Sequence, residues 1–387
     1  MSFADIRHQT AAVRLLRAAV AGDRMPHAYL FVGPRGVGKG LAARELAKLL
    51  LCRSPRGGAE KPDPCDKCEA CRRVERGTHP DLYWFRKEVD RNDFRINLVV
   101  RGRGEDSGAV SVTVTESVVL HPMEASRTVT VLDDAELLNR QAANALLKTL
   151  EEPSSHAVLV LLCADASQLP GTILSRCQWV RFAPLPEEFV AKKLAESLVA
   201  KAKDKAGKAR AEASDAVTPE EIAFVSRFAE GSIEQAERLA GSGFWELKRG
   251  LVSHLHEMDE AMALDMADAI SQWSRGQADE VRVTKESREE TALRRTFARL
   301  ALAAATSALR DATVVAAGAG KGVRLTNADQ QPIIEALAAW PLDARTRAIG
   351  LLADAQAQID RYVNIELATE NALLQVSRLN PRIAARA

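Results

Sequence analysis

Short apolar runs alternate with amphipathic stretches over the first half of the chain. The runs at 28–32, 129–132 and 158–163 are rich in β-branched, aromatic or leucine residues, which predicts short buried strands. Between the last two runs, residues 141–152 repeat apolar positions at helical spacing and are followed by Pro153, which predicts a helix that stops there. Strands joined through helices pair in parallel. The first half is therefore predicted to be an α/β domain with a parallel sheet.

Helical periodicity replaces this alternation in the second half of the chain. Pro184 and Pro186, followed by two glutamates, suit a break in the chain and the start of a new helix. We therefore predict three parts, which are the α/β domain over 1–183, a small helical domain over 184–243 and an all-helical domain over 244–387.

Three segments carry weaker patterns. Residues 95–119 show period-two alternation interrupted by glycines, which predicts a strand or hairpin insertion. Residues 201–213 are rich in Lys and Ala, which predicts a solvated helix extension or loop, with DNA binding as the less favoured alternative. The glycine-rich residues 318–322 follow no apolar strand, so we expect a turn between helices there.

Composition narrows the class of protein. Of 387 residues, 47% are hydrophobic but only 5% are aromatic, which predicts aliphatic cores and favours helices over an all-strand fold. The net charge of +1 argues against a global basic field for nucleic acid or anionic membranes, so any DNA contact must be local. The N-terminus lacks a signal-peptide pattern and no run of about 18 apolar residues occurs, so we expect a cytoplasmic protein without membrane contact.

Four of the six cysteines lie close together, at Cys52, Cys65, Cys68 and Cys71, with the spacing C-x12-C-x2-C-x2-C. In a reducing compartment this clustering favours a metal site over disulfides. Four thiolates with no open position are typical of structural Zn²⁺, so residues 52–71 are predicted to form a zinc module. An iron–sulfur cluster and four unrelated cysteines are the alternatives.

A loop of the phosphate-binding type follows the first apolar run. Residues 33–40 read GPRGVGKG and precede the helical pattern at 41–50, which is the context in which this motif is specific. The position after the lysine is Gly40, where a Ser or Thr hydroxyl would bind the Mg²⁺ of a nucleotide. A loop kept only for folding and a loop with residual nucleotide binding are both open. The candidate phosphate-binding residues are Gly33, Gly36, Gly38 and Lys39.

An acidic pair follows the second apolar run. Asp133 is placed to hold a metal, and Asp134 occupies the position at which ATPases of this type carry the Glu that orients the attacking water. The Asp134 side chain is about one methylene too short for that task. Together with Gly40, it predicts a nucleotide site in which hydrolysis is impaired or absent.

Further motifs occur in order along the first half. They are HAYLF at 27–31, AANALLK at 142–148, LEEP at 150–153 and SRC at 175–177. With the glycine loop, they resemble the clamp-loader AAA+ proteins of bacterial DNA polymerase III over most of residues 1–182. The resemblance implies a P-loop AAA+ sheet domain, a small helical lid and a helical collar domain.

Within this family the gamma and tau motors hydrolyse ATP, whereas the delta-prime class shares the fold without powering the cycle. The motors carry Thr, Glu and Arg where this chain has Gly40, Asp134 and Glu234. The resemblance therefore implies the delta-prime class, with ATP binding weak or absent. Its partners would be gamma/tau and delta subunits in a hetero-pentamer, a sliding clamp and primed DNA. An ATP-hydrolysing motor and a stand-alone zinc-dependent DNA-binding protein are the alternatives.

The resemblance also implies a role for Arg176, as an arginine finger supplied in trans to a neighbour's ATP site. A guanidinium suits this role because it stays charged and binds phosphate oxygens through a planar fork. The alternative is an ordinary surface arginine. The first-sensor position of the family falls on Cys163, Ala164 or Asp165.

Overall fold

The structure is a computed structural model that describes residues 2–22, 25–58, 61–86, 99, 112–206, 217–281, 287–319, 322–361 and 363–384. Two compact units divide the chain, Met1–Pro186 and Glu187–Ala387. The expected division of the second half at residue 243 lies inside the second unit and stays a prediction.

A five-stranded parallel sheet forms the centre of the first unit, with the strand order β2-β3-β4-β1-β5. The strands β1, β3 and β4 are buried almost throughout, as continuous apolar runs require. The predicted α/β fold with a parallel sheet is thus confirmed. The strands are β1 Ala28–Val32, β2 Leu82–Phe85, β3 Thr128–Leu132, β4 Ala157–Cys163 and β5 Gln178–Arg181.

Helices connect these strands and cover the sheet. In α5, the Asn139 side chain accepts a hydrogen bond from the Ala142 N–H, so a side-chain cap defines where that helix begins. Three short 3-10 segments complete the described part of this unit, at Phe3–Asp5, Ala135–Leu137 and Ala166–Gln168. The helices are α1 Thr10–Ala21, α2 Lys39–Leu51, α3 Glu69–Arg76, α4 Val114–Val119, α5 Arg140–Glu151 and α6 Gly171–Leu174.

The strand or hairpin expected within 95–119 is wrong over the end of that segment, which forms α4. Thr113 and Glu116 make a reciprocal capping box, and this local signal outweighs the β-branched composition. The two buried valines of α4 lie four residues apart, which is one helical turn. Residues 95–98 and 100–111 lie outside the described residues.

The second unit is helical, as the periodicity predicted. Its main core is aliphatic and rich in alanine, so its helices pack closely. The helix α7 reaches Ala206, and residues 207–216 of the Lys- and Ala-rich segment lie outside the described residues. The helices are α7 Glu187–Ala206, α8 Pro219–Phe228, α9 Ile233–Leu239, α10 Phe244–Leu255, α11 Glu260–Val281, α12 Ser287–Ala316, α13 Gln331–Ala338, α14 Leu342–Asp360, α15 Ile365–Arg378 and α16 Pro381–Ala384, with a 3-10 turn at Ala328–Gln330.

Across the part of the chain that the structure describes, no helix combines the length and the apolar character needed to span a bilayer.

Candidate functional site

The four clustered cysteines come together between α2 and α3, in a segment we call the cysteine knuckle (residues 52–71). Their Sγ atoms all lie within 4.8 Å of one another. The Sγ atoms of Cys52 and Cys68 are 3.9 Å apart, as are those of Cys65 and Cys71. A tetrahedral zinc with Zn–S bonds of about 2.3 Å would separate its sulfurs by about 3.8 Å. The donor set and its spacing therefore fit structural Zn²⁺.

Backbone N–H groups point at these sulfurs. The N–H groups of Cys65, Cys68 and Cys71 donate to the Sγ atoms of Cys52, Cys65 and Cys68, at 3.4, 3.3 and 3.5 Å. Burial raises the pKa of the Cys65 thiol, but the N–H groups of Lys67 and Cys68 outweigh it and lower that pKa to about 6. Burial raises the pKa of Cys52 and Cys71, so a bound cation is what would hold all four as thiolates at neutral pH.

The loop between Cys52 and Cys65 is closed by backbone pairing. Arg56 and Asp63 exchange N–H to C=O hydrogen bonds of 2.9 Å in an antiparallel bridge. Gly57 has a φ of +87°, and a Cβ there would collide with the carbonyl of Lys61. The pairing of Arg56 with Asp63 thus brings the chain back, so that the Cys65 N–H reaches Cys52 Sγ.

His79 lies near the knuckle in sequence but takes no part in the sulfur cluster. Its ring is buried, and its Nδ1 accepts the Asp81 N–H at 3.2 Å. Burial lowers the pKa of His79, so the ring is neutral and serves packing.

The nucleotide loop (residues 33–40) keeps the backbone shape that its glycines predict. Gly36 and Gly38 have φ values of +72° and +103°, which favour glycine. A Cβ on Gly33 would collide with the Phe182 carbonyl, and its N–H donates to the Cys163 carbonyl at 3.2 Å. This loop therefore joins β1 to α2 in a phosphate-loop conformation.

The side chain of Lys39 folds back onto the nucleotide loop. Its Nζ donates to the carbonyl oxygens of Gly33 and Pro34, at 2.5 and 2.7 Å. Burial lowers the pKa of the lysine, although Glu136 opposes this effect. The Lys39 ammonium, which the sequence predicts to bind phosphate, is thus hydrogen-bonded to the backbone of its own loop.

The acidic residues after β3 are paired with arginines that sequence reasoning did not single out. Asp133 Oδ2 lies 3.3 Å from Arg86 Nε, and Asp134 Oδ1 lies 2.8 Å from Arg35 Nη2. Arg35 also approaches the buried Glu136, at 3.5 Å. No local sequence signal predicts the Arg86 pair, because it depends on β2 lying beside β3 in the sheet.

Gly40 occupies the position at which the phosphate-loop motif carries a Ser or Thr. A Cβ there would lie 3.9 Å from Leu162 and from Trp84, which is ordinary contact, so packing does not require glycine. The missing hydroxyl removes one Mg²⁺ ligand, and Arg86 already pairs with the carboxylate of Asp133 that would supply another. The impairment of hydrolysis that Gly40 implies stays a prediction.

Arg176 lies in the short connection between α6 and β5. Its Nη2 lies 2.8 Å from Glu151 Oε1, and its Nη1 donates to the Thr172 carbonyl at 3.1 Å. The side chain retains 35% of its accessible surface. Cys177 beside it is buried, and burial raises its pKa to about 12, as expected of a packing residue outside the sulfur cluster.

Comparison with known proteins gives the family. A family profile described as "DNA polymerase III, delta subunit" matches residues 8–186. DNA polymerase III subunit gamma of Buchnera aphidicola is 31% identical over 69% of this chain and 67% of its own length. The chain belongs to the clamp-loader family of DNA polymerase III subunits.

Other relatives are similar over shorter spans. DNA polymerase III subunit tau of Salmonella typhimurium is 31% identical over 70% of this chain, and the match spans 38% of the length of that tau subunit. Subunit delta′ of Bacillus subtilis is 34% identical over 49% of this chain, and the match spans 51% of its length. Relatives of the delta′, tau and gamma types thus all resemble this clamp-loader chain.

The first-sensor position of the clamp-loader family stays open among three residues at the end of β4. Cys163 is buried in the strand, and the Ala164 N–H donates to Glu136 Oε2 at 3.2 Å. Asp165 accepts the Ser167 N–H at 2.9 Å and so caps the following 3-10 turn.

Glu234, the expected lid residue, lies in the first turn of α9 within the second unit. It pairs with Arg238 one turn later, at 3.0 Å, and both side chains are exposed. Its role toward a nucleotide stays a prediction.

Proposed function

We propose that this chain is a delta-prime-type clamp-loader subunit, a stator with an ATPase fold that does not hydrolyse ATP. It assembles with gamma/tau and delta subunits in a hetero-pentamer that loads a sliding clamp onto primed DNA in the cytoplasm. The observation that supports this proposal most is in the nucleotide loop. Its glycines have the φ values of a phosphate loop, but Gly40 has no hydroxyl and the acidic residues after β3 are paired with arginines.

Three features support the absence of hydrolysis. Gly40 supplies no hydroxyl, and both acidic residues after β3 are paired with arginines. The Asp134 carboxylate is too short for the Glu position that orients water, and Arg35 holds it. Phosphoryl transfer depends on positioning and charge stabilisation, so these defects act on the two contributions that matter most.

The second candidate is a gamma/tau-like motor that hydrolyses ATP. The intact glycine loop and the retained Lys39 favour it, as does the identity shared with gamma and tau relatives. Both candidates assemble with clamp-loader subunits. They differ in whether the isolated chain turns over ATP.

Arg176 is proposed as the finger that completes a neighbour's site. Its guanidinium is partly exposed, and its backbone is fixed by hydrogen bonds at the end of α6. The contacts to Thr172 and Glu151 hold the planar fork in one orientation while leaving N–H groups for a phosphate. Zn²⁺ in the cysteine knuckle has a structural role in this proposal, because all four donors are protein thiols.

The proposal is tested by co-purification with gamma/tau and delta subunits, followed by ATPase assays on the complex carrying Arg176→Ala. An arginine finger accelerates phosphoryl transfer by about 10³ to 10⁵, so hydrolysis at the adjacent motor site should fall by that factor. Arg176→Lys should not rescue it, because an ammonium lacks the planar fork. Arg181→Ala, at another exposed arginine of the same unit, is the matched control and should keep wild-type activity.

Two results would contradict the proposal. Failure to form a defined complex with these subunits would remove the assigned partners. Normal assembly of the Arg176→Ala complex with wild-type clamp loading would make Arg176 an ordinary surface residue. The isolated Arg176→Ala subunit should keep its melting temperature, which separates a lost function from a lost fold.

A further inference from the structure

A buried lysine links the cysteine knuckle to the helix that follows the nucleotide loop. The Lys48 side chain, on α2, retains 1% of its accessible surface. Its Nζ lies 2.7 Å from Glu45, 2.8 Å from Asp66 and 3.2 Å from Glu75. The Lys48 ammonium thus forms ion pairs with carboxylates from α2, from the knuckle and from α3.

Two of these carboxylates depend on the knuckle for their positions. Asp66 has a φ of +59° and directly follows Cys65, whose Sγ accepts the Cys68 N–H at 3.3 Å. Its carboxylate accepts from Lys48 and, at 3.0 Å, from Arg56. The sulfur cluster therefore fixes the peptide whose side chain meets Lys48.

Glu75 is placed by the same cluster from the other side. It lies on α3 four residues after Cys71, and residues at this spacing lie on the same helical face. On α2, Lys48 precedes Cys52 by the same four residues. The segments that carry the cysteines thus also place the carboxylates of Asp66 and Glu75 beside Lys48.

The third carboxylate belongs to α2 itself. Glu45 is fully buried, and a buried carboxylate without a cation is strongly unfavourable. Lys48 compensates Glu45, while Asp66 and Glu75 cover Lys48 and complete its ion pairs. If the knuckle opens, Lys48 loses two of these partners and water reaches the Glu45 pair.

We propose that Lys48 is a positioning residue that couples the cysteine site to α2, so that metal binding orders the helix carrying the nucleotide loop. The inference rests on the proposed zinc site and extends it. The knuckle is then an integral support of α2, whereas an independent zinc module would leave α2 unchanged when the metal is removed.

The test is hydrogen exchange of the full chain, with zinc bound and after removal by a chelator with a thiol reagent. In wild type, zinc removal should speed exchange of the Lys39–Leu51 amides about tenfold or more, because their ordering is coupled to the metal. Exchange in β1, which has no part in the ion-pair cluster, should change less than about twofold. An α2 that does not respond to zinc removal would overturn the coupling.

The double variant Glu45→Leu/Lys48→Met removes both buried charges together, which avoids leaving one of them unpaired. In this variant, zinc removal should open the knuckle as in wild type but leave α2 exchange within about twofold. Arg44→Met is the matched control, because Arg44 lies on the same helix and approaches Glu75 at 3.8 Å from its exposed side. It should respond as wild type does, and equal responses of the control and the double variant would overturn the role of Lys48.

Metal analysis of each sample separates the two levels of the proposal. A purified wild-type chain without zinc would contradict the metal site, and the coupling with it. A zinc-loaded chain whose α2 ignores zinc removal would contradict the coupling alone, and the assigned clamp-loader role would stand.

Discussion

The cysteine knuckle and the nucleotide loop flank the same helix, α2, but they are complete to different degrees. The knuckle presents four sulfurs at zinc spacing, with N–H donors aimed at them. The nucleotide loop has the correct backbone, yet Gly40 lacks a hydroxyl and Lys39 binds its own loop. The knuckle thus brings four candidate metal donors together, whereas the nucleotide loop keeps its backbone conformation without a hydroxyl at position 40.

The difference shows that loop shape and site chemistry depend on different residues. Glycine conformations and packing against Phe182 hold the nucleotide loop, and neither needs a bound phosphate. The knuckle has few apolar residues to fold around, so its order depends on its ligands. The backbone of such a loop can therefore persist without a bound nucleotide, whereas the knuckle is expected to need its metal to stay ordered.

The largest expected effect is on metal content. Cys68→Ser should abolish zinc binding and open residues 52–76, because apparent zinc-binding energies in such sites are on the order of 10 kcal/mol. Metal analysis should give one Zn²⁺ per wild-type chain and none in the variant. Cys177→Ser, at a buried cysteine outside the cluster, should keep its zinc. Stoichiometric iron with visible absorbance would show that the metal assignment is wrong.

Removing the lysine alone should cost more than removing the whole ion pair. Lys48→Ala leaves Glu45 buried without its partner and should destabilise the first unit by about 3–5 kcal/mol. Glu45→Leu/Lys48→Met should cost much less. Urea unfolding followed through hydrogen exchange of first-unit peptides measures the free energy of unfolding of each variant. Equal losses of stability in the two variants would contradict a buried Glu45 charge that needs Lys48.

The pH dependence of stability gives a smaller effect. Burial raises the pKa of Glu45 to about 7, although Lys48 opposes this effect. A raised pKa means that the folded state binds the proton more tightly, so this contribution is full below about pH 4.5 and is lost as the pH rises through 7. Wild type should therefore lose about 1–3 kcal/mol relative to Glu45→Gln over this range.

That comparison isolates Glu45, because both proteins carry the same cysteines and metal. Parallel pH profiles of stability for wild type and Glu45→Gln would contradict the raised pKa of Glu45.

The smallest effect is expected in the nucleotide loop. Gly40→Thr should change stability by less than about 1 kcal/mol, because a Cβ at this position makes only ordinary contacts. It should not create hydrolysis, since Asp134 and the arginine pairs remain. Thermal melting and phosphate release measure the two outcomes. ATP turnover gained by this single change would place the whole defect in the missing hydroxyl.

Local signals predicted much of this fold. The strand at 28–32 was expected at the bounds of β1, and the helix at 141–152 differs from α5 by one residue at each end. The first segment is a continuous apolar run that ends at a glycine, and the second combines helical spacing with a proline stop. The error at 114–119 arose because valines suit strands, whereas a capping box spanning only four residues decides for a helix.

The sequence predicted that the four cysteines cluster and that the glycine loop joins a strand to a helix, but it did not predict the charge partners around them. Glu45 and Lys48 are three residues apart and read as a surface pair, since nothing local shows that α2 is buried on that face. Arg86 meets Asp133 only because β2 and β3 are neighbours in the sheet. Such pairs depend on long-range packing, which one sequence does not show.

Steady-state phosphate release by the isolated, zinc-loaded chain with ATP and Mg²⁺ measures whether its nucleotide site hydrolyses ATP. The incomplete nucleotide site predicts release no faster than background, while the same preparation holds one zinc per chain. Turnover approaching about 1 s⁻¹, at the low end of typical enzymes, would contradict the stator and favour the motor.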